Sequence, residues 1–148
     1  MVSISIRRSR FSYPLVHKLA EFTANIPRVA DLEAVKYCGT KSGRDVNKFR
    51  ELGLTPVNSP PLEFAPMIDE FPLALACRVK HELGLGSHHI FIAEVVGIHC
   101  DQSLVRPSQR PDPFPEEQIV YLDGKYWRLK QVETELTRPT RDINGVGL

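Results

Sequence analysis

Two stretches of this chain combine hydroxyls, cations and tight turns in a way that suits a bound phosphate. The first is Arg7-Arg8-Ser9-Arg10-Phe11-Ser12. The second is Lys41-Ser42-Gly43-Arg44-Asp45-Val46-Asn47-Lys48-Phe49. In the second, Ser42 is a helix N-cap type, and Asp45 three residues later makes a variant capping box with Asp in place of Glu. Gly43 lets a ligand approach the backbone closely. The free N–H groups of a first helical turn favour an anion. Asp45 opposes one, so the cations Lys41, Arg44 and Lys48 must supply the counter-charge. An ordinary capped surface helix has the same pattern. In the first stretch, Ser9 and Ser12 sit with three arginines where a strand hands over to a helix start. Such a junction suits a phosphate or a phosphorylated cofactor, and a solvated turn accounts for it equally well.

Other chemistry-bearing residues are less promising. His88, His89, His99 and Cys100 invite a metal, but the geometry opposes it. If residues 89 to 99 form one extended strand, its ends lie roughly 33 Å apart. Adjacent His88 and His89 point to opposite sides of that strand, so no metal site is expected. Cys38 lies between Lys36 and Lys41, which could lower a thiol pKa; no His or Asp partner is near it in sequence, and a packed thiol is the commoner case. Cys77 falls on the apolar face of a strand and reads as core. No G-x-S-x-G, P-loop or G-x-G-x-x-G pattern is present. Gly84-Leu85-Gly86 is followed by a strand rather than the helix a dinucleotide fingerprint needs.

The elements that must position these residues follow from periodicity. Val2, Ile4 and Ile6 alternate with polar residues, predicting a half-buried strand from the start of the chain. Ser12 is expected to cap a helix with Pro14 in its first turn and Leu15, Val16, Leu19 and Phe22 on one face. A short strand is read over Glu21 to Ile26. A helix capped by Asp31 runs inward through Leu32 and Val35 and stops at Gly39. A third helix, Gly43 to Leu52, has Val46, Phe49 and Leu52 as its apolar face and a Schellman ending at Leu52-Gly53-Leu54. Prolines punctuate 56–72, with one helical turn over Met67 to Phe71. Leu73 to Val79 alternates as a strand, Leu83 to Ser87 is a connection, and Ile90 to Ile98 is a mostly apolar, central strand. Residues 103–117 carry four prolines and form an excursion. Asp123-Gly124 between Ile119–Leu122 and Lys125–Leu129 signals a hairpin, and 131–148 reads as a tail. Three helices early and antiparallel strands later predict α+β with a small barrel.

The 148 residues suit a single domain with a real core. A formal net charge of +1 gives no bulk-charge drive toward nucleic acid or a membrane surface. No apolar run approaches the roughly 20 residues of a membrane helix. The first residues lack the apolar core of a signal peptide. Three cysteines are too sparse for a disulfide framework. A cytoplasmic protein is expected.

The stretches MVSISIRRSRFSYPLVHKLAEFTANIP, YCGTKSGRDVNKF, LALACRVKHELGLGSHHIFIAEVVGI and YLDGKYWRL together resemble the flavin reductase-like, FMN-binding split-barrel family, nearest its flavoredoxin-type branch. The resemblance runs in order to about residue 130. It implies a Greek-key split β-barrel with flanking helices, usually a homodimer, holding FMN (alternatively FAD) non-covalently. It implies hydride transfer from NAD(P)H to flavin. The alternatives are an electron-transfer flavoprotein that docks a redox partner protein, or an incomplete fold without flavin. Carried over by position, Ser9 and Ser12 fall in the segment contacting the flavin phosphate and ribityl chain. Ser42, Gly43 and Lys48 match a second phosphate-side segment, with Lys48 the charge partner. His88 matches the histidine of a G-D-H element near the flavin and nicotinamide, the catalytic candidate, although Ser87 stands here for the Asp. Asn47 replaces the Asp before the lysine. Family members carry further strands ahead of the stretch matching Met1 to Ile6, so the resemblance implies a chain lacking them, with the ladder edge of Val2 to Ile6 exposed.

Overall fold

The alternation of Val2, Ile4 and Ile6 does form a strand, β1 (Val2–Arg7), with those three side chains half-buried and the residues between them exposed. The computed structural model describes residues 1–105 and 118–129. The rest of the predicted proline-rich excursion and the 131–148 tail lie outside them. Helix α1 (Ser12–Leu19) follows, then β2 (Glu21–Ile26), α2 (Leu32–Thr40) and α3 (Lys48–Leu52). The short strands β3 (Pro56–Val57) and β4 (Met67–Ile68) come next, then the long strands β5 (Leu73–Leu85) and β6 (His88–Cys100), and the hairpin β7 (Ile119–Leu122) and β8 (Lys125–Arg128).

The main sheet is antiparallel throughout, in the order β1-β6-β5-β2. β1 is its edge strand, with no partner on its outer side among the described residues. Two register shifts, at Ala76/Cys77 and at Val79/His81, interrupt the β5–β6 ladder. Each adds one unpaired residue and sharpens the local twist, which curls the sheet into half a barrel. This is the expected α+β split barrel with flanking helices. One face of the sheet holds the core. Phe91 and Ala93 of β6, Cys77 of β5 and Phe22 of β2 meet Tyr13 and Val16 of α1, and Val2, Ile4 and Ile6 close the side. Burial pushes the Cys77 thiol pKa up, as expected for a core cysteine.

Several local expectations need correction. Leu15 of α1 is about half exposed rather than inward. The helix stops at Ala20, which takes a left-handed φ of 54° and donates to the Val16 carbonyl, so Phe22 belongs to β2. Met67 and Ile68 pair with Val57 and Pro56 instead of starting a helical turn. The connection between the long strands is shorter than Leu83 to Ser87. β5 continues to Leu85, and Gly86, at φ 65°, turns the hairpin with Ser87.

Candidate functional site

The first phosphate-suited stretch is the turn that joins β1 to α1. Arg10 N–H donates to the Arg7 carbonyl at 2.9 Å, and Tyr13 N–H donates to the Arg10 carbonyl at 3.0 Å. These two bonds fold Arg7 to Ser12 into consecutive tight turns with Ser9 and Ser12 exposed. Ser12 does not cap α1. It is the helix's first residue, and Phe11 stands at the cap position without a side-chain cap bond.

The second stretch departs further from expectation. No helix begins at Gly43, and the Ser42/Asp45 capping box does not form. Ser42 Oγ accepts from the Arg44 N–H at 3.2 Å, and the Ser42 carbonyl accepts from Asp45 N–H and Val46 N–H, so 42–46 is a compact turn. The helix starts at Lys48, and Asn47 caps it by accepting from Arg50 N–H at 3.1 Å. Asn and Ser are cap residues of similar strength, and the later one prevails here. The anion-binding argument from a helix N-terminus therefore does not apply to this five-residue helix. The Schellman ending does form: Gly53 is left-handed at φ 64°, and Leu54 N–H donates to the Phe49 carbonyl at 2.9 Å.

Although residues 13–40 separate them, the two stretches touch. The Phe11 ring lies against Gly43 so closely that a Cβ there would stand 3.0 Å from Cδ1 and 3.3 Å from Cε1. Gly43 thus serves a close approach, and the group approaching is a side chain of the first stretch. Lys48 is half-buried, and its Nζ donates to the Cys38 carbonyl at 2.6 Å. An ammonium has three N–H donors, so two remain for an anion.

His88 opens β6, directly opposite Arg7 in the ladder. Arg7 Nε donates to His88 Nε2 at 3.1 Å, and His88 Nδ1 lies 2.8 Å from Ser87 Oγ. Because an arginine N–H can only donate, Nε2 is the acceptor and the ring proton sits on Nδ1. Both ring nitrogens are engaged, so this arrangement orients the ring more than it frees a base.

His89, one residue on, faces the core side, as strand alternation requires. Its Nδ1 lies 2.7 Å from Glu82 Oε1, which also accepts from Tyr13 Oη at 3.1 Å. His17 Nδ1 lies 2.7 Å from Glu82 Oε2. The Tyr13 and His89 rings meet edge to face at 4.8 Å. Gly84 pairs with His89 in the ladder, and a Cβ built on it would make ordinary contact with the His89 ring, 3.4 Å from Cε1. The hydrogen bond from His17, joined by those from His89 and Tyr13, holds the Glu82 carboxyl below the usual carboxylate range. The sequence reading missed this four-residue cluster. Its members come from α1, β5 and β6, and only the sheet register brings them together.

None of the six expected site residues lines the cavity of about 440 Å³ at the far end of β6, which is bounded by Met67, Phe71, Ile98 and Cys100 among others. No group of three or more metal-ligating side chains occurs among the described residues, and none of their helices is long and apolar enough to cross a membrane. The two stretches together offer three serine hydroxyls, the Arg8, Arg10 and Arg44 guanidinium groups and the Lys48 ammonium, donor types that suit a phosphate monoester.

Comparison with known proteins bears on the family and the fold. The model of the family described as Flavin reductase like domain matches residues 1–130. An uncharacterised protein of Archaeoglobus fulgidus is 33% identical over 98 residues, which are 66% of this chain and 55% of that protein, so the match spans about half the relative's length. Among solved structures, the flavoredoxin of Desulfovibrio vulgaris (Miyazaki F) is 27% identical with a TM-score of 0.81, over 93% of this chain and 75% of its own. The flavoredoxin of Methanosarcina acetivorans shares the fold, at 21% identity and a TM-score of 0.80, over 94% of this chain and 74% of its own.

Proposed function

The chain belongs to the Flavin reductase like domain family, and from that premise we propose that it binds FMN and works as a flavin-dependent oxidoreductase. The observation that carries the reading is the packing of Phe11 on Gly43. It brings the two hydroxyl- and cation-rich stretches into contact. In this proposal Ser9, Ser12, Ser42 and the Gly43 backbone hold the ribityl and phosphate side, and Lys48 pairs with the phosphate charge. A charge-assisted contact of this kind is stronger than a neutral hydrogen bond. A phosphorylated flavin is favoured because the donors suit a terminal phosphate; FAD would present a diphosphate to the same groups.

The reaction proposed is NAD(P)H + FMN + H⁺ → NAD(P)⁺ + FMNH₂. The flavin supplies the two-electron chemistry, and the protein supplies binding and orientation. His88, with Arg7 on Nε2 and Ser87 on Nδ1, is a fixed polar group beside the first stretch and is assigned to positioning. The likeness to a flavoredoxin at 27% identity supports a second reading, an electron-transfer flavoprotein that retains FMN and passes electrons to a redox partner protein. A homodimer belongs to either reading. Three free thiols, Cys38, Cys77 and Cys100, are in keeping with a reducing cytoplasm.

Titration of the purified protein with FMN, followed by flavin fluorescence, tests the binding. Steady-state NADH and NADPH oxidation with FMN in excess then separates the two readings. Turnover supports the reductase. FMN binding without turnover supports the electron carrier. Absence of FMN binding overturns both.

A further inference from the structure

One carboxylate ties together the immediate neighbours of two residues assigned to the site. Glu82 accepts from Tyr13, which follows Ser12, and lies 2.7 Å from the ring of His89, which follows His88. Its second oxygen is engaged by His17, one turn further along α1. Glu82 reaches none of the phosphate-side residues itself.

We infer that Glu82 is a positioning residue for the phosphate-binding junction, acting through Tyr13 and α1 on one side and through His89 on the other. The inference rests on the FMN reading given above.

The mechanical route is short. The Tyr13 side chain is buried, and its backbone N–H closes the last turn of the Arg7–Ser12 junction on the Arg10 carbonyl. The Arg8 guanidinium lies over the same ring, 5.9 Å from its centroid. Holding the Tyr13 ring therefore constrains Ser12 on one side and Arg8 on the other. On β6, fixing the His89 ring fixes the strand end where His88 meets Arg7. Arg7 is the residue at which both routes join, because it pairs with His88 and accepts the first turn bond of the junction. Geometry at a binding site depends on such supporting contacts, since a shell free to shift lets the first contacts loosen.

Within the cluster Glu82 is there to accept, not to donate. Glu82 takes one hydrogen bond from Tyr13 and one from each imidazole when those rings carry their proton on Nδ1. All three donors need an oxygen acceptor. An amide in its place would turn one of its two heavy atoms into a donor facing another donor. Glu82→Gln thus disturbs the cluster with almost no change in volume.

The experiment compares the affinities for FMN and for riboflavin, which lacks the phosphate. The parent protein should prefer FMN. In Glu82→Gln, FMN affinity should fall at least about fivefold while riboflavin affinity changes less than about twofold, a coupling within the usual range between linked sites. Tyr13→Phe and His17→Ala, each removing one partner, should move the FMN-to-riboflavin ratio the same way by smaller factors. They also decide the matter if Glu82→Gln does not fold. An equal loss for both flavins, or an unchanged ratio in the folded variants, would overturn the positioning role and leave the FMN reading intact. A parent protein that binds neither flavin, or both equally, would instead overturn the phosphate-side reading on which the inference rests.

Discussion

Lys48 donates from Nζ to the carbonyl of Cys38, near the end of α2. The same ammonium is the proposed partner of the flavin phosphate, so one side chain has two tasks that substitution can separate. Removing a charge-assisted hydrogen bond to a carbonyl costs about 1.5–3 kcal/mol of stability. Losing the phosphate contact lowers FMN affinity roughly tenfold, about 1.4 kcal/mol. Lys48→Ala is expected to do both, and to weaken FMN more than riboflavin. Thermal unfolding measured beside flavin titration checks it. A lower melting temperature with the FMN-to-riboflavin ratio unchanged would leave Lys48 only its structural tie.

Gly43 gives a second handle on the junction. An added methyl would meet the Phe11 ring at 3.0 Å, tighter than ordinary contact. The ring is 38% exposed and can tilt away, so Gly43→Ala should cost no more than about 1 kcal/mol of stability, the low end of overpacking. The tilt moves the residue next to Ser12, and FMN affinity should fall. Gly43→Val, with a bulkier and stiffer side chain, should lower it further at a similar melting temperature. Equal FMN binding in all three proteins would show that the Phe11–Gly43 contact does not shape the site.

The sheet was readable from the sequence because its signals are local. Val2, Ile4 and Ile6 announce β1 by period two, and the Asp123-Gly124 pair announces the β7–β8 turn, where Asp123 and Gly124 both take positive φ. The β5–β6 hairpin extends past its expected boundary because Gly84, which reads as a loop residue, is a ladder residue paired with His89, and that pairing is visible only once the register is known. The helix at Lys48 was begun too early because Ser42 and Asn47 compete as caps. The contact that favours the later start, Lys48 to Cys38, crosses ten residues. At the proposed site, the hydroxyls and cations could be named from residue type. Their adjacency through Phe11 and Gly43, and the hub at Glu82, depend on tertiary packing that no local pattern encodes.

Acid should act through the carboxylates that are held ionised, Glu21 and Glu82 among them. Burial pushes the Glu21 carboxyl pKa up. The backbone N–H groups of Phe64, Ala65 and Glu63, with Arg78 nearby, outweigh it, and the net shift is downward. Glu82 is lowered chiefly by its bond from His17. A carboxyl with a depressed folded pKa adds stability above its unfolded pKa and loses it as pH falls through the folded value. The urea midpoint should therefore hold from neutrality down to the ordinary carboxylate range and fall below it. Glu21→Gln should be less stable than the parent at neutral pH, because its amide group sets a donor against those N–H groups. The gap should narrow in acid, where Glu21 itself is protonated. A gap that stays constant down the acid limb would mean that the Glu21 charge is not what holds the 63–65 loop.

Gly97 tests how the sheet carries the loop that precedes β4. It pairs with Ala76 in the ladder, and a Cβ built on it would lie 2.8 Å from the Pro60 carbonyl oxygen and 3.1 Å from Pro61 Cδ. Neither atom is the tip of a flexible side chain, so the loop must move as a whole. That loop is anchored twice more, by His99 Nε2 on the same Pro60 oxygen at 2.7 Å and by Arg78 on the Pro61 carbonyl at 3.2 Å. Gly97→Ala should therefore destabilise the protein by about 1–3 kcal/mol, the usual cost of overpacking. Gly39→Ala, with nothing within 4 Å of the added methyl, should gain rather than lose stability, since alanine is favoured in a helix by up to about 1 kcal/mol. Chemical denaturation of both variants provides the check. The site lies at the other end of β6, so Gly97→Ala should leave the FMN-to-riboflavin affinity ratio unchanged, and a shifted ratio would show that the flavin surface extends along the strand to this loop.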